Sequence, residues 1–191
     1  MSVSVITSTI GRPELRQCID SVYYQKPHCR HLIFSNGPKF NRATEKVMRE
    51  FHPNDHDVFY LKEETGDYGL GGSMADVFAA APFLTRSAWI CVLDDDNFYD
   101  PDHVESLLRF VTENNLKWAY SLRRLVAPDG TPLADDNWDS LGHYSAANCV
   151  DNSCFFVERN LAQRMSLAWT AGPMIADRYF FTALKESGEP G

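Results

Sequence analysis

The sequence lacks features that would place it in two large classes of protein. It has 191 residues and no apolar run near the roughly 18 residues that a membrane-spanning helix needs. It also has no cluster of basic residues: Asp and Glu number 26 against 18 Lys and Arg, for a net charge of −8. Because nucleic-acid binding needs a basic surface, we expect no nucleic-acid partner. Because no apolar run is long enough, we also expect no transmembrane segment.

The five cysteines do not form a disulfide framework or a metal motif. Their number is odd, and no spacing matches a zinc site or a CxxC redox motif. Cys18 and Cys91 lie on apolar faces, so we expect buried thiols there. The N-terminus has no basic region of the kind that opens a signal peptide. These observations favour a cytoplasmic location, where thiols stay reduced.

Short β-branched runs alternate with helical patterns along the chain. Strands are predicted over 3–6, 31–34, 58–61, 89–93, 118–122 and 154–157. One helix is predicted over 41–51, and two others are predicted to begin at Asp100-Pro101 and at Asp177. This alternation predicts a single α/β domain with a mostly parallel central sheet flanked by helices. A hairpin around Asp129-Gly130 is expected outside that sheet.

Three carboxylates follow the central predicted strand. Asp94, Asp95 and Asp96 come directly after the apolar run Trp89–Leu93. Ligands of open α/β sheets bind beyond the carboxyl ends of the strands. Asp94 and Asp96 are two residues apart, so in extended geometry they point the same way. Such a pair suits Mg²⁺ or Mn²⁺, with substrate phosphates completing the shell, and a solvated acidic loop is the alternative.

Two other loops carry residues that can touch a ligand. The glycine-rich stretch 66–73 precedes an Ala-rich helix, where a backbone can approach a phosphate closely. Its spacing fits neither a P-loop nor a dinucleotide motif, so a plain turn is the alternative. The segment 134–148 is polar with aromatic residues. It is either a ligand-contacting loop or a surface loop pinned by Trp138.

Together these segments resemble the family 2 glycosyltransferases, which have the GT-A fold. The resemblance rests on four stretches in the family's order: 3–22 for the first strand, loop and helix, 71–76 for the Gly-rich stretch, 93–97 for the DXD metal motif and 176–177 for the late element with the catalytic base. It implies one GT-A domain over residues 1–191. Residues 1–100 would form the nucleotide-sugar-binding half and residues 101–191 the acceptor-side half.

The resemblance also implies a reaction. A sugar would pass from a nucleotide-diphosphate sugar, with a UDP-sugar as the expected donor, to a hydroxyl of a glycan or other acceptor, with inversion. Asp96 and Asp94 would hold Mn²⁺ or Mg²⁺, or Asp94 would instead bind the donor ribose. Asp177 would be the catalytic base. The implied donor-binding residues are Thr9, Arg12, Asn36, Gly72, Asp94 and Asp95, and the implied acceptor-binding residues are Trp138, Asp139, Tyr144 and Asp151.

The chain departs from the family pattern in places, and other classes stay open. Ser35-Asn36 replaces an acidic pair whose aspartate contacts the nucleotide base, and Ala176 replaces the late Glu. A nucleotidyltransferase acting on sugar phosphates would be expected to carry a Gly-rich basic loop at 7–13, where this chain has one Gly and one Arg. A haloacid-dehalogenase-type phosphatase usually has Thr or Val where this chain has Phe98. A non-catalytic sugar-binding domain is the third alternative.

Overall fold

A computed structural model describes residues 1–52, 56–65, 74–127, 129–136, 150–172 and 175–191. The strands are β1 (Val3–Thr9), β2 (Arg30–Ser35), β3 (His56–Tyr60), β4 (Trp89–Val92), β5 (Trp118–Tyr120), β6 (Arg123–Val126), β7 (Pro132–Asp136) and β8 (Phe155–Glu158). The α-helices are α1 (Leu15–Tyr23), α2 (Pro38–Met48), α3 (Ala75–Ala80), α4 (His103–Glu113), α5 (Arg159–Arg164) and α6 (Ala176–Glu186). Short 3₁₀ turns cover Ala81–Phe83, Asn152–Cys154 and Ser166–Thr170.

Six strands form the central sheet, in the order β3-β2-β1-β4-β8-β5. The four strands from β3 to β4 are parallel neighbours, and β8 runs antiparallel between β4 and β5. Strands β6 and β7 pair separately as an antiparallel hairpin. Gly130 in its turn has φ +84°, a conformation that glycine adopts without a steric penalty. The predicted mostly parallel sheet, with this hairpin outside it, is confirmed.

Side chains of β1 alternate between two apolar layers. Val3 and Val5 pack on the face covered by α1, α2 and α4. Ile6 packs on the opposite face, with residues of α3, α5 and α6. Strand β4 is buried along its whole length. Both faces of the sheet are therefore covered, as parallel strands require. Ligands of such a sheet bind beyond the carboxyl ends of its strands.

Helix α4 begins later than the sequence predicts. Asp100-Pro101 reads as a cap and first helical position, but the helix starts at His103. The helix is capped from the turn that follows α1: the buried Gln25 accepts a hydrogen bond from Val104 N–H through Oε1 (2.9 Å). Its Nε2 donates to the Asp100 carbonyl, also at 2.9 Å. A tertiary contact thus supplies the cap that the local pattern assigned to Asp100.

Helix α2 begins earlier than predicted, at Pro38 rather than at Asn41. Proline suits the first turn of a helix because its missing N–H would have no partner there. Gly37 precedes it with φ +107°. A side chain at Gly37 would also collide with Glu64, 2.5 Å from the position of an added Cβ. The sharp turn after β2 therefore depends on glycine.

The expectations for thiols and membrane segments can be compared with the structure. Cys18, Cys29, Cys91 and Cys154 are buried free thiols, as predicted for Cys18 and Cys91. Cys149 lies outside the described residues. In the part of the chain that the structure describes, no helix is long and apolar enough to cross a membrane. The cytoplasmic location stays a prediction.

His31 is a titratable side chain inside the core. It is 1% exposed, and its Nε2 lies 2.9 Å from Thr7 Oγ1. Burial, followed by the nearby His56, lowers the pKa of His31 to about 3 from 6.5. Between these two values the unfolded chain binds a proton at His31 and the folded chain does not. This group therefore stabilises the fold fully only above about pH 6.5, and the contribution is lost as the pH falls.

We predict that His31→Phe makes the free energy of unfolding less dependent on pH below about pH 6. His31 should contribute a slope of about 1.4 kcal/mol per pH unit, which Phe abolishes. Urea unfolding at several pH values between about 7 and 5 measures the slope. His28→Phe, at an exposed position, is the matched control. Identical slopes for wild type and His31→Phe would contradict the assignment.

Candidate functional site

The three consecutive aspartates lie in a turn at the carboxyl end of β4, beside the loop that follows β1. We call Asp94–Asn97 the acidic turn; it is closed by a hydrogen bond from Asn97 N–H to the Asp94 carbonyl (3.1 Å). Strands β1 and β4 are parallel neighbours, with Ile6 opposite Val92. The pairing continues through Leu93 N–H to the Ile6 carbonyl at 3.0 Å. This register places the loop after Thr9 against the acidic turn.

Asp95 joins the acidic turn to that loop. Its side chain is fully buried and accepts hydrogen bonds from Thr9 Oγ1 (2.7 Å) and Ile10 N–H (3.2 Å). Arg12 Nη1 lies 3.7 Å from its other oxygen. Burial raises the pKa of Asp95, while the Thr9 hydrogen bond and then Arg12 oppose the rise. The middle carboxylate therefore faces the protein, where its contacts hold the two loops together.

Asp96 points toward solvent and pairs with a cation. Its side chain is 45% exposed and forms an ion pair with Arg12, which is 40% exposed. An ion pair this exposed contributes about 0–1 kcal/mol, so a more strongly charged cation can displace the guanidinium. Arg12 thus shows that the acidic turn accepts positive charge at Asp96.

A divalent metal fits this turn on the chemistry of its side chains. Among the described residues, no group of three His, Cys, Asp or Glu could cage a metal ion. Mg²⁺, however, commonly binds through one or two carboxylates and completes its shell with water and substrate phosphates. Asp94 and Asp96 can supply those carboxylates, and a donor diphosphate can supply the remaining oxygens.

Asp94 faces a different neighbour, the 3₁₀ turn Asn152–Cys154. Asn152 Nδ2 donates to Asp94 Oδ1 (2.9 Å), and the backbone N–H of Asp94 donates to Ser153 Oγ (3.3 Å). Burial, followed by the charge of Asp151, raises the pKa of Asp94 to about 7, and the hydrogen bond from Asn152 opposes the rise. A nearby cation would oppose this rise and favour the ionised carboxylate.

A cleft of about 360 Å³ opens on the Asp96 side of the acidic turn. Its lining includes Asp96, Asp151 and residues 121–126, which contain β6. Asp151 forms an ion pair with Arg123 of this lining. Leu122 and Leu125 are half exposed. The cleft thus combines carboxylates that can accept hydrogen bonds from hydroxyls with arginine and leucine side chains.

Asn36 follows β2, and β1 lies between that strand and β4, which carries the acidic turn. Its N–H donates to the Thr9 carbonyl (2.9 Å), so it adjoins the loop after β1. Its buried amide oxygen accepts two hydrogen bonds of 2.9 Å from Thr65, one from the backbone N–H and one from the hydroxyl. The side chain therefore holds the segment after β3 next to the loops after β1 and β2.

Asp177 lies in the first turn of α6, one residue after the helix start. Its Oδ1 accepts a hydrogen bond from Arg178 N–H at 2.8 Å, while Ile175 occupies the N-cap position. Phe180 of this helix packs against Phe155 of β8, with ring centroids 5.2 Å apart. Asp177 is not among the described residues that line the cleft.

The structure brings part of the predicted site together. Thr9, Arg12, Asp94, Asp95, Asp96 and Asp151 form one connected group. Gly72, Trp138, Asp139 and Tyr144 lie outside the described residues. Sequence reasoning missed Asn152 and Ser153, which bond to Asp94. A short polar stretch directly before a predicted strand is the signal that marks them, but only the position of β8 beside β4 shows what they contact.

The family model described as "Glycosyl transferase family 2" matches residues 4–165. The chain belongs to this family. Among curated relatives, the putative teichuronic acid biosynthesis glycosyltransferase TuaG of Bacillus subtilis is 27% identical over 135 residues, which cover 69% of this chain and 50% of TuaG. The chain spans at most half the length of the curated relatives that it matches.

Solved structures show the same fold. The mannosyltransferase PcManGT from Pyrobaculum calidifontis, solved with GDP-Man and Mn²⁺, has a TM-score of 0.63 and 13% identity, over 98% of this chain and 53% of that one. A cytidylyltransferase from Leptospira borgpetersenii has a TM-score of 0.60 and 10% identity, over 98% of this chain and 72% of that one. The expected GT-A fold is confirmed. Because a cytidylyltransferase shares it, the fold alone does not identify the reaction.

We predict that Thr9→Val lowers the free energy of unfolding by about 1–3 kcal/mol. Valine keeps the side-chain shape but removes the hydroxyl that donates to buried Asp95 and accepts from Gly11 N–H (2.8 Å). The matched control is Thr112→Val, whose exposed hydroxyl donates to the Leu108 carbonyl (2.7 Å). Urea unfolding compares the two variants. An equal effect of both would show that the Thr9–Asp95 bond does not hold the loops together.

Proposed function

We propose that this chain transfers a sugar from a nucleotide-diphosphate sugar to a hydroxyl of a glycan or other acceptor, with inversion at the anomeric carbon. The observation that carries the proposal is the acidic turn at the carboxyl ends of the parallel strands, where Asp96 already holds a cation, the Arg12 guanidinium. Membership of glycosyl transferase family 2 supports it. Residues 1–100 would bind the donor and residues 101–191 would form the acceptor side.

The donor would lie over the loops that follow β1 and β2. Thr9 and Asn36 bring these loops together, and Arg12 would exchange its contact with Asp96 for one with the donor diphosphate. Gly72 would approach the donor through its backbone. A UDP-sugar is the donor we propose first, although the GDP-Man complex of PcManGT supports testing guanine as well.

Asp94 and Asp96 would hold Mn²⁺ or Mg²⁺ together with the donor diphosphate. The bound ion supplies stabilisation of the negative charge that develops on the leaving diphosphate. Asp95 remains buried and keeps the turn in place, which leaves its two neighbours free to face the donor.

The acceptor would enter the cleft beside Asp151, with Trp138, Asp139 and Tyr144 as further proposed contacts. Its hydroxyl oxygen forms a bond to the anomeric carbon while the bond from that carbon to the diphosphate oxygen breaks. The diphosphate leaves with the electron pair of that bond. Asp177 would take the hydroxyl proton as general base. Attack by the hydroxyl from the face opposite the diphosphate would give inversion.

A nucleotidyltransferase acting on sugar phosphates is the main alternative, since a cytidylyltransferase has the same fold. The loop after β1 argues against it: residues 7–13 contain one Gly and one Arg, where a basic Gly-rich loop would be expected. A non-catalytic sugar-binding domain would bind the donor without turnover. Incubating the protein with Mn²⁺ and UDP-glucose, UDP-GlcNAc or GDP-mannose, with simple glycosides as acceptors, tests for a glycosylated product, which neither alternative would form.

We predict that nucleoside diphosphate binding depends on a divalent metal and on Asp96. UDP or GDP with Mn²⁺, at about 100 times its Kd, should stabilise the wild type by about 2.7 kcal/mol. EDTA or Asp96→Asn should remove most of this gain, because the metal loses a carboxylate. Asp20→Asn, at an exposed position on α1, is the matched control. Thermal shift measures the effect, and full stabilisation of Asp96→Asn would refute the metal role.

We predict that Asp177→Asn slows turnover by about 10²–10⁴-fold, because the general base is lost. Stability should fall by less than about 1 kcal/mol: Asn keeps an oxygen for Arg178 N–H, while the favourable charge near the helix N-terminus is lost. Metal-dependent nucleotide affinity should stay near the wild-type value. Steady-state kinetics and calorimetry test the three quantities together. Near-normal turnover would assign Asp177 a structural role and direct the search for the base to Asp151, Asp139 and His143.

A further inference from the structure

Asp94 is fixed by a segment distant in the sequence, Asp151–Ser153, which we call the buttress segment. Two of its residues contact the acidic turn directly. Asn152 Nδ2 donates to Asp94 Oδ1 at 2.9 Å. Ser153 Oγ accepts from Asp94 N–H (3.3 Å) and from Asn97 Nδ2 (3.0 Å). The carboxylate of Asp94 and the two ends of the turn are therefore all held from the same side.

The orientation of the Asn152 amide is set by its second hydrogen bond. Its Oδ1 accepts from Ser153 N–H at 2.9 Å, which turns the NH₂ group toward Asp94. An amide in this orientation offers a donor to one carboxylate oxygen of Asp94. The other oxygen is left to face a different partner. Asn152 thus favours the observed orientation of the Asp94 carboxylate without adding charge to the site.

The buttress segment is itself anchored at both ends. Its C-terminal end runs into β8, whose antiparallel pairing with β4 sets Phe156 opposite Cys91. At its N-terminal end, Asp151 Oδ1 accepts from Ser153 N–H (3.0 Å), and its other oxygen pairs with Arg123 of β6. A segment held by the sheet and by the hairpin can position the acidic turn without moving with it.

We propose that Asn152 and Ser153 are positioning residues of the metal and diphosphate site, Asn152 through the carboxylate of Asp94 and Ser153 through the backbone of the acidic turn. The inference rests on the proposed function, because it assigns the metal to Asp94 and Asp96. Residues that hydrogen-bond metal-ligating carboxylates commonly contribute about 10–100-fold to metal affinity. We expect a loss of that size when the Asn152 amide is removed.

The test is Mn²⁺ binding in the presence of UDP or GDP, followed by the electron paramagnetic resonance signal of free Mn²⁺. Asn152→Ala should bind Mn²⁺ about 10–100-fold more weakly than the wild type. Ser153→Ala should also bind it more weakly, and Ser153→Thr, which keeps the hydroxyl, should recover most of the affinity. The matched control is Asn114→Ala, which removes an exposed amide that donates to the Phe110 carbonyl at 2.8 Å.

One further measurement separates positioning from a general effect on the fold. Urea unfolding without metal should show that each variant folds. Should Asn152→Ala fail to fold, the Ser153→Ala and Ser153→Thr pair decides the question in its place.

The outcomes distinguish this inference from the proposed function. Mn²⁺ affinity of Asn152→Ala equal to that of the wild type, while Asp96→Asn binds weakly, overturns the positioning role and leaves the proposed function standing. Absence of metal binding by the wild type with either nucleotide overturns both. A selective loss in Asn152→Ala and Ser153→Ala, with Asn114→Ala unchanged, supports the proposal.

Discussion

The arrangement of the site depends on one buried carboxylate. Asp95 lies inside the protein, where a carboxylate needs hydrogen bonds to offset its desolvation, and it finds them at Thr9 and Ile10 in the loop after β1. That requirement holds the acidic turn against this loop. It also sets the direction of the flanking residues, because turning Asp95 inward leaves Asp96 beside solvent and Arg12, and Asp94 beside Asn152. The middle residue of the motif thus holds the two loops together, and in the proposed function its neighbours would face the ligand.

The same turn concentrates negative charge. Arg12 pairs with Asp96 and Arg123 pairs with Asp151, yet burial and the charge of Asp151 still raise the pKa of Asp94 to about 7. Such a site has unfavourable electrostatics that a cation would relieve. In the proposed reaction the donor brings its own negative diphosphate, so a divalent cation would compensate the carboxylates and the substrate together.

The sequence predicted the parallel part of this arrangement and missed the antiparallel part. Alternating strands and helices place the carboxyl ends of β1 and β4 at the same end of the sheet, so Thr9 and Asp94–Asp96 could be expected to meet. No local pattern shows that β8 inserts antiparallel between β4 and β5, which brings Asn152 to Asp94. The local pattern likewise predicts Asp100 as the cap of α4. Gln25, which is distant in sequence, bonds to Val104 N–H instead and overrides that local preference.

The buttress segment, which β8 follows directly, contacts both the acceptor side and the metal side of the proposed site. Arg123 on the hairpin wall of the cleft holds Asp151, Asp151 caps the turn that contains Ser153, and Asn152 next to it holds Asp94. An acceptor that hydrogen-bonds Asp151 would compete with Arg123 for the same carboxylate. Since Asp151 is also the second cause of the raised pKa of Asp94, a change in its pairing alters the charge environment of the metal site. In the proposed reaction, acceptor binding and metal binding would therefore be coupled through Asp151, although the acceptor would touch neither Asp94 nor Asp96.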